Sequence, residues 1–153
     1  MSQNYRFKRD ARSVEVFAAN PAVDVVEMGD LVQWDTATKT AKRLASTANA
    51  AAFIGVAEGA IPPTSNIDNS TLLVTQLTVR KSGTFSYKTS VGDTLVNGDA
   101  VTIGADNQTV LKTATAGEVI GYADIPDGSS VVGAAGVLVD VRIRPNFPSP
   151  DFA

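Results

Sequence analysis

The sequence predicts an all-β fold: a small barrel-like or sandwich-like domain built from two related halves, with an extended N-terminal arm and a C-terminal tail. Three observations support this fold class. Segments rich in Val, Ile and Thr are separated by turn-forming residues roughly every 8–12 residues. Helix signals are poor, because clean 3.6-residue apolar stripes are missing. Two sequence blocks also recur in the same order, as expected of two copies of one β unit.

Composition fits one weakly charged domain. The chain has 153 residues, of which 44% are hydrophobic, and this length is typical of a single domain with its own core. Only 19% of the residues are charged, below the roughly 25% of an ordinary soluble domain. A weakly charged surface suits a protein that packs against copies of itself or against another surface.

The residues that are missing exclude most catalytic chemistry. The sequence has no Cys and no His, which removes thiol nucleophiles, thiolate metal sites and the commonest general base. We therefore predict that the protein is not an enzyme and has no cofactor or metal site. No apolar run approaches the roughly 20 residues of a membrane span, and the polar N-terminus does not resemble a signal peptide. We expect a soluble protein made in the cytoplasm.

Residues 1–12 form a basic segment that we interpret as an extended arm. Its four basic residues against one Asp give a local charge of +3, so the net charge of −3 leaves −6 on the remainder. The acidic remainder argues against nucleic acid as the partner. The aromatic and basic residues could instead bind an acidic, partly apolar groove, although a solvated terminus is the alternative. The candidate contact residues are Tyr5, Arg6, Phe7, Lys8, Arg9 and Arg12.

The β domain is predicted to cover residues 13–144. Residues 40–52 are Ala-rich and could form one or two helical turns, and Pro62-Pro63 marks an exposed loop. Trp34 is expected in the core, with an interface anchor as the alternative. The predicted strands are 14–18, 31–34, 53–57, 71–80, 84–88, 100–103, 109–111, 119–123 and 136–143.

An internal repeat spans about residues 24–57 and 93–123. Residues 24–34 align with 93–103, 69 residues later, and residues 54–57 align with 120–123, 66 residues later. Each copy contains a Gly-Asp turn, a strand, a polar hairpin and a strand with a central glycine. Such glycines allow tight turns, bends and close backbone approach, which help a sheet to curl into a barrel.

Four aspartates occupy matching places in the two copies: Asp24, Asp30, Asp93 and Asp99. Paired carboxylates can perform acid–base chemistry or bind Ca²⁺. The Gly-Asp context favours a structural role instead, because Asp in a turn accepts hydrogen bonds from nearby backbone N–H groups. Residues 104–107 are likewise interpreted as a hairpin turn.

The C-terminal strand and tail supply the remaining candidate contacts. Arg142 and Arg144 should share one face of a strand, with Val141 and Ile143 on the other. The arginines could pair across a subunit boundary, or they could guard a half-buried edge strand. Residues 145–153 contain three prolines and should form an extended tail, in which Phe147 and Phe152 pack on a neighbour.

The segments 29–35, 52–57, 98–101 and 117–122 together resemble the decoration, or cement, proteins of double-stranded DNA phage heads. The resemblance covers roughly residues 24–143. It implies a β-rich domain that binds the outside of an icosahedral capsid, commonly as a trimer that clamps major capsid subunits. The resemblance carries over no catalytic residues.

We therefore expect a decoration protein that stabilises the mature shell by bridging subunits of the major capsid protein. The expected partners are that protein and further copies of this chain in a homotrimer, with no membrane involved. The expected location is the exterior of the virion, after a stay in the host cytoplasm during assembly. The alternative is a tail- or fibre-associated binding module that recognises a host surface.

Overall fold

A computed structural model describes residues 14–20, 25–61 and 76–146, and it confirms the all-β fold class. Within these residues, two short 3-10 helices, Thr47–Ala52 and Ala116–Glu118, accompany the strands. The described residues form twelve strands: β1 Val14–Ala18, β2 Leu31–Asp35, β3 Thr40–Arg43, β4 Phe53–Ala57, β5 Gln76–Arg80, β6 Thr84–Thr89, β7 Thr94–Val96, β8 Ala100–Ile103, β9 Thr109–Lys112, β10 Gly121–Ala123, β11 Ser130–Val132 and β12 Leu138–Ile143.

The strands form two bodies that are built alike. In the first body, β1 to β5 make a sheet in the order β1-β5-β4-β2-β3. In the second body, β6-β12-β10-β8-β9 follow the same order and close into a barrel through parallel pairing of β6 with β9. A parallel bridge between Ala19 and Ala41 occupies the matching place in the first body. This shared order is what a duplicated unit would produce, and the duplication remains our proposal.

The Gly-Asp turns have the same geometry in both bodies. Gly29 and Gly98 have φ values of +92° and +85°, which favour glycine because it lacks a Cβ. Asp30 accepts a hydrogen bond from the backbone N–H of Glu27 at 2.8 Å, and Asp99 accepts one from Val96 at 2.9 Å. The predicted turn role of these two aspartates is confirmed.

The central strand glycines permit close contact between strands. A Cβ on Gly121 would stand 2.5 Å from the carbonyl oxygen of Arg142, and a Cβ on Gly55 would overlap the carbonyl oxygen of Arg80. Because real Cβ atoms are not found this close to backbone oxygens, only glycine fits without movement of the neighbouring strand. The predicted close backbone approach is confirmed at both positions.

Two apolar cores hold the structure together, and the second is shared between the bodies. The first core lies inside the first body and includes Phe17, Val32, Ile54 and Leu77. Strands β2 and β4 also bury side chains on their opposite face, so the first body is fastened to the barrel. The shared core joins Leu31, Leu44, Phe53 and Val56 of the first body to Tyr87, Leu95, Val101, Ile120 and Val141 of the second.

Several sequence expectations need correction. The helical candidate 40–52 is wrong over its first part, where β3 forms an antiparallel hairpin with β2; only the end, Thr47–Ala52, is helical. Strands β7 and β11 were not predicted, because three residues are too few to show alternation. Trp34 is only half-buried at the margin of the first core, where its ring centroid lies 5.7 Å from that of Phe17.

Some predictions lie outside the described residues. These are the arm at 1–12, Asp24, the loop at Pro62-Pro63, the first half of the strand 71–80, and the tail from residue 147 onward. The division into arm 1–12, β domain 13–144 and tail 145–153 therefore remains a prediction.

Candidate interaction surface

Most of the predicted contact residues fall in the parts of the chain that the structure does not describe. The structure describes two of them, Arg142 and Arg144. The others are Tyr5, Arg6, Phe7, Lys8, Arg9, Arg12, Phe147 and Phe152. Their contact role remains a prediction.

Arg142 and Arg144 share the outward face of the chain at β12. Val141 and Ile143 are buried on the inward face, which confirms the predicted alternation. Arg144 donates a hydrogen bond from Nη1 to the hydroxyl of Tyr122 at 2.8 Å. The alternative interpretation, that this strand is an edge strand, is wrong, because β12 lies between β10 and β6 in the closed barrel. The arginines therefore do not protect an open edge, and they lie on the outside of the closed barrel.

Arg142 has a counterpart in the first body, and the two arginines differ in how closely a carboxylate pairs with them. Arg80 occupies the matching strand position and forms an ion pair with Glu58, with 2.8 Å between Nη2 and Oε1. Arg142 faces Asp124 in the same arrangement, but its Nη2 is 3.9 Å from Oδ2 and its side chain is 70% exposed. Because the contact is long and the guanidinium is hydrated, Arg142 retains more capacity for an external partner than Arg80.

Asn146 anchors the start of the tail between the two bodies. Its backbone N–H donates to the carbonyl of Phe53 at 2.9 Å. Its side-chain amide donates to the carbonyls of Ala50 at 2.9 Å and Val119 at 2.6 Å, which belong to different bodies. Residue 146, the last described residue, therefore lies at the junction of the bodies. Sequence reasoning missed this residue, because an Asn between prolines looks like an ordinary loop residue.

A polar network crosses the same junction. The carboxylate of Asp30 is completely buried, pairs with Arg43 Nε at 3.0 Å, and accepts from Gln108 Nε2 of the second body at 3.2 Å. The hydroxyl of Tyr87 donates to the carbonyl of Gly29 at 3.3 Å. Burial raises the pKa of Tyr87, and the nearby Asp30 carboxylate adds to the shift. These contacts fix the position of one body on the other.

The second body carries an exposed apolar surface at one end of the barrel, which we call the ribbon end. It consists of the two-stranded ribbon β7–β11 with residues 90–93 and 133–138. Gly92 N–H donates to Gly133 at 3.1 Å, and Thr89 N–H donates to Val137 at 3.0 Å, so these segments meet. Val91 is 79% exposed, Val132 and Leu138 are more than half exposed, and Val96 is nearly half exposed.

The sequence contains one signal for the ribbon end. Residues 128–139 are twelve consecutive residues without a charged side chain. Such a stretch is usually assigned to a core, and only the structure shows that its alternate residues face outward. An exposed apolar surface of this kind often marks a contact with another protein.

Two open grooves lie at the junction of the described bodies. One of about 500 Å³ is lined by Met28, Glu58, Arg80 and Phe85, among others. Another of about 560 Å³ is lined by Lys42, Arg43 and Asn107, among others. Among the described residues, three or more potential metal ligands do not cluster anywhere. Nor does this part of the chain contain a helix with the length and apolarity to cross a membrane.

Comparison with known proteins gives a structural relative. No protein-family model matches the chain, and no curated protein matches it. Among solved structures, it is similar to the head fibre gp8.5 N base of bacteriophage phi29, with 18% sequence identity and a TM-score of 0.50. The match covers 86% of this chain and 95% of that one. The chain therefore shares its fold with a protein of a phage head over nearly the whole length of both.

Proposed function

We propose that this protein is a structural component of a phage head that binds the outer surface of the shell. The observation that carries the proposal is the fold similarity to a head fibre base along 95% of that chain. The resemblance of four short sequence segments to capsid decoration proteins supports the same assignment, although these segments include the strands that also define the fold. Lack of His and Cys in the whole sequence supports a role without catalysis and without a cofactor.

The more specific proposal is that the protein decorates the capsid and bridges subunits of the major capsid protein. Each copy would contribute an interface of roughly 800 Å² or more per partner. Because many copies act together, opening the shell would require all of these contacts to break. The shared core and the hydrogen bonds across the junction of the two bodies suit this role, since a bridge resists load only when its parts keep their relative position.

The proposed contact residues lie on the arm, on β12 and on the tail. The predicted arm, residues 1–12, precedes β1 in the sequence, and Val14 of β1 pairs with Arg80 of β5. Of the two described candidates, Arg142 faces Asp124 only at 3.9 Å, and Arg144 donates to the neutral hydroxyl of Tyr122. Two or three such contacts from separate parts of one chain could reach different capsid subunits. The proposed location is the virion exterior, with assembly in the host cytoplasm, and the proposed assembly state is a homotrimer.

A second candidate is a binding module associated with a fibre, which recognises a host surface. The observation that favours it is that the structural relative is the base of a head fibre. In that case the domain would connect a head to a separate receptor-binding part. Both candidates require attachment to a virion, and they differ in whether the bound protein strengthens the shell.

The test is binding to expanded capsids that lack outer proteins. The purified protein should bind them saturably and raise the temperature at which they break open. Saturable binding without a rise in that temperature would refute decoration and support the fibre candidate. A failure to bind any capsid preparation would refute attachment to the head.

Two variants locate the contact. Deletion of residues 1–12 should weaken capsid binding and leave the melting temperature of the free domain nearly unchanged. Arg142→Ala should also weaken binding. The matched control is Arg80→Ala, which removes an equivalent arginine whose charge is already paired. Equal effects of the two arginine variants on binding would contradict a specific role for Arg142.

A further inference from the structure

We propose that Asn97 is a modification site, at which the folded protein slowly loses a side-chain amide by spontaneous deamidation. The reaction needs no enzyme and no cofactor, and its co-reactant is water. Its product is a carboxylate at the turn between β7 and β8, beside the loop that leads into β11. The inference goes beyond the proposed function, because it holds whether or not the protein binds a capsid.

The sequence places the least hindered nucleophile next to Asn97. Deamidation begins when the backbone nitrogen of the following residue attacks the side-chain carbonyl carbon, Cγ. A side chain on the following residue shields that nitrogen, and glycine has none. Among the asparagines of the whole sequence, only Asn97 is followed by glycine. Asn97 is therefore the asparagine with the greatest intrinsic reactivity.

The reaction balances with water alone. The nitrogen of Gly98 gives up its proton to solvent and forms a bond to Cγ of Asn97, which closes a succinimide ring. The bond between Cγ and Nδ2 breaks, and the leaving nitrogen takes up a proton and departs as ammonia. Water then opens the ring at either carbonyl, which gives an aspartyl or an isoaspartyl residue. No oxidant or reductant is needed, because no group changes its oxidation state.

The folded structure slows this reaction and leaves it accessible. The N–H of Gly98 donates to the carbonyl of Ala123 at 2.8 Å, so the nucleophile is held until the turn opens. The side chain of Asn97 is held by longer bonds, from the N–H of Ile125 at 3.2 Å and to Oδ1 of Asp127 at 3.3 Å. Both Asn97 and Gly98 are exposed. Local opening is enough, because β7 has three residues and pairs only with β11 among the described strands.

The first body shows what Asn97 adds to its turn. Met28 occupies the matching position, and Gly29 still donates its N–H to the carbonyl of Ala57 at 2.8 Å. The turn itself therefore does not need an asparagine. In the second body, the amide of Asn97 links the turn to residues 125–127, which precede β11 in the chain.

Deamidation converts this link into a repulsion. The amide nitrogen that donates to Asp127 is replaced by an oxygen, and two carboxylates then face each other where a hydrogen bond had been. The N–H of Ile125 can still donate to the remaining oxygen. We therefore expect the ribbon β7–β11 to loosen while the closed barrel keeps its structure.

The test follows deamidation in the purified full chain during prolonged incubation at mildly alkaline pH in heavy-oxygen water. Deamidation in the folded protein introduces one heavy oxygen, which distinguishes it from later changes during digestion in ordinary water. Trypsin releases Asn97 and Asn107 in the same peptide, residues 89–112, and fragment masses locate the label. Asn107 is the internal control, because its side chain is buried and Gln108 follows it.

The label should accumulate at Asn97 and not at Asn107. Asp127→Ala removes the acceptor that holds the Asn97 amide, and it should raise the rate about two- to tenfold. The matched control is Asp140→Ala, which removes a carboxylate bonded to Ser86 and should leave the rate unchanged. Absence of label at Asn97 would overturn the inference, as would equal rates in the two variants.

The structural consequence is tested with Asn97→Asp, which introduces the aspartyl product directly. Amide hydrogen exchange should become faster in β7 and β11 and stay unchanged in β8, β10 and β12. The matched control is Met28→Asp, which adds a carboxylate to the equivalent turn of the first body and should leave exchange in the ribbon unchanged. If β7 and β11 of Asn97→Asp exchange like those of the wild type, deamidation does not loosen the ribbon and this part of the inference is wrong.

Discussion

The buried carboxylate of Asp30 offers a sharp test of how the two bodies are joined. Asp30 and Asp99 occupy matching turns, and each pairs with a cation at 3.0 Å, Arg43 and Lys112 respectively. They differ in burial, because the side chain of Asp30 is 0% exposed and that of Asp99 is 18% exposed. Substitution of each by Ala removes a turn hydrogen bond and an ion pair, and for Asp30 it also removes the buried bond from Gln108 of the other body.

The expected magnitudes follow from that difference. A hydrogen bond to a charged group contributes roughly 1.5–3 kcal/mol when water cannot replace it. Asp30 accepts such bonds from Glu27 and Gln108 as well as its ion pair, and Gln108 belongs to the other body. Because Arg43 is half-exposed and can turn to water, we expect Asp30→Ala to cost about 3 kcal/mol rather than the sum of all contacts. For Asp99→Ala, water replaces most of the lost contacts and about 1 kcal/mol is expected.

Urea unfolding, followed by Trp34 fluorescence and by circular dichroism, measures both free energies. For a domain of this size, Asp30→Ala should lower the melting temperature by about 6–12 °C and Asp99→Ala by about 2–4 °C. The substitution Asp30→Asn keeps the side-chain volume and isolates the effect of charge. Equal costs for the two Ala variants, within experimental error, would refute the reasoning that burial at the junction decides the energy.

Three further predictions concern packing, the tail and pH. Gly121→Ala should destabilise the protein by about 1–3 kcal/mol in urea melts, because its Cβ meets a backbone oxygen, whereas Gly117→Ala, in open space, should have little effect. Asn146→Ala should cost about 1 kcal/mol, because the carbonyl of Val119 loses its side-chain donor while that of Ala50 keeps the backbone N–H of Phe53; an unchanged melting curve would show that the junction does not depend on Asn146. Since the pKa of Tyr87 is raised, the unfolded chain loses that proton first, so stability should fall as pH rises above about 10. Thermal melts from neutral to alkaline pH should show a smaller loss for Tyr87→Phe than for the wild type.

Local sequence signals predicted much of the fold. Repeated β-branched segments located most of the strands, and the two Gly-Asp pairs located turns that the structure contains. The central glycines Gly55 and Gly121 were expected at sites of close backbone approach, and that is where they lie. These features were predictable because a turn needs a positive φ or a capping carboxylate within three residues of itself.

Candidate contacts were less predictable. The strand period predicted that Arg142 faces outward. Only comparison with the ion pair of Arg80 shows that the guanidinium of Arg142 is less closely paired with a carboxylate. Asn146 and the ribbon end were missed for the same physical reason. Their roles depend on neighbours that are far away in the sequence, and no local pattern records whether an apolar residue faces a core or the solvent.

Strand β1 illustrates the division between sequence and tertiary structure. By itself, the sequence determined that residues 14–18 would be extended, because Val14 and Val16 are β-branched and alternate with other residues. It did not determine which face would be buried: Phe17 is buried, while Val16 is 56% exposed. That choice depends on β5, which pairs with β1 from about 60 residues later in the chain. Pairing between strands that are so far apart in the sequence depends on the packing of the whole domain. The same packing determines the closed barrel, the shared core and the exposed ribbon end.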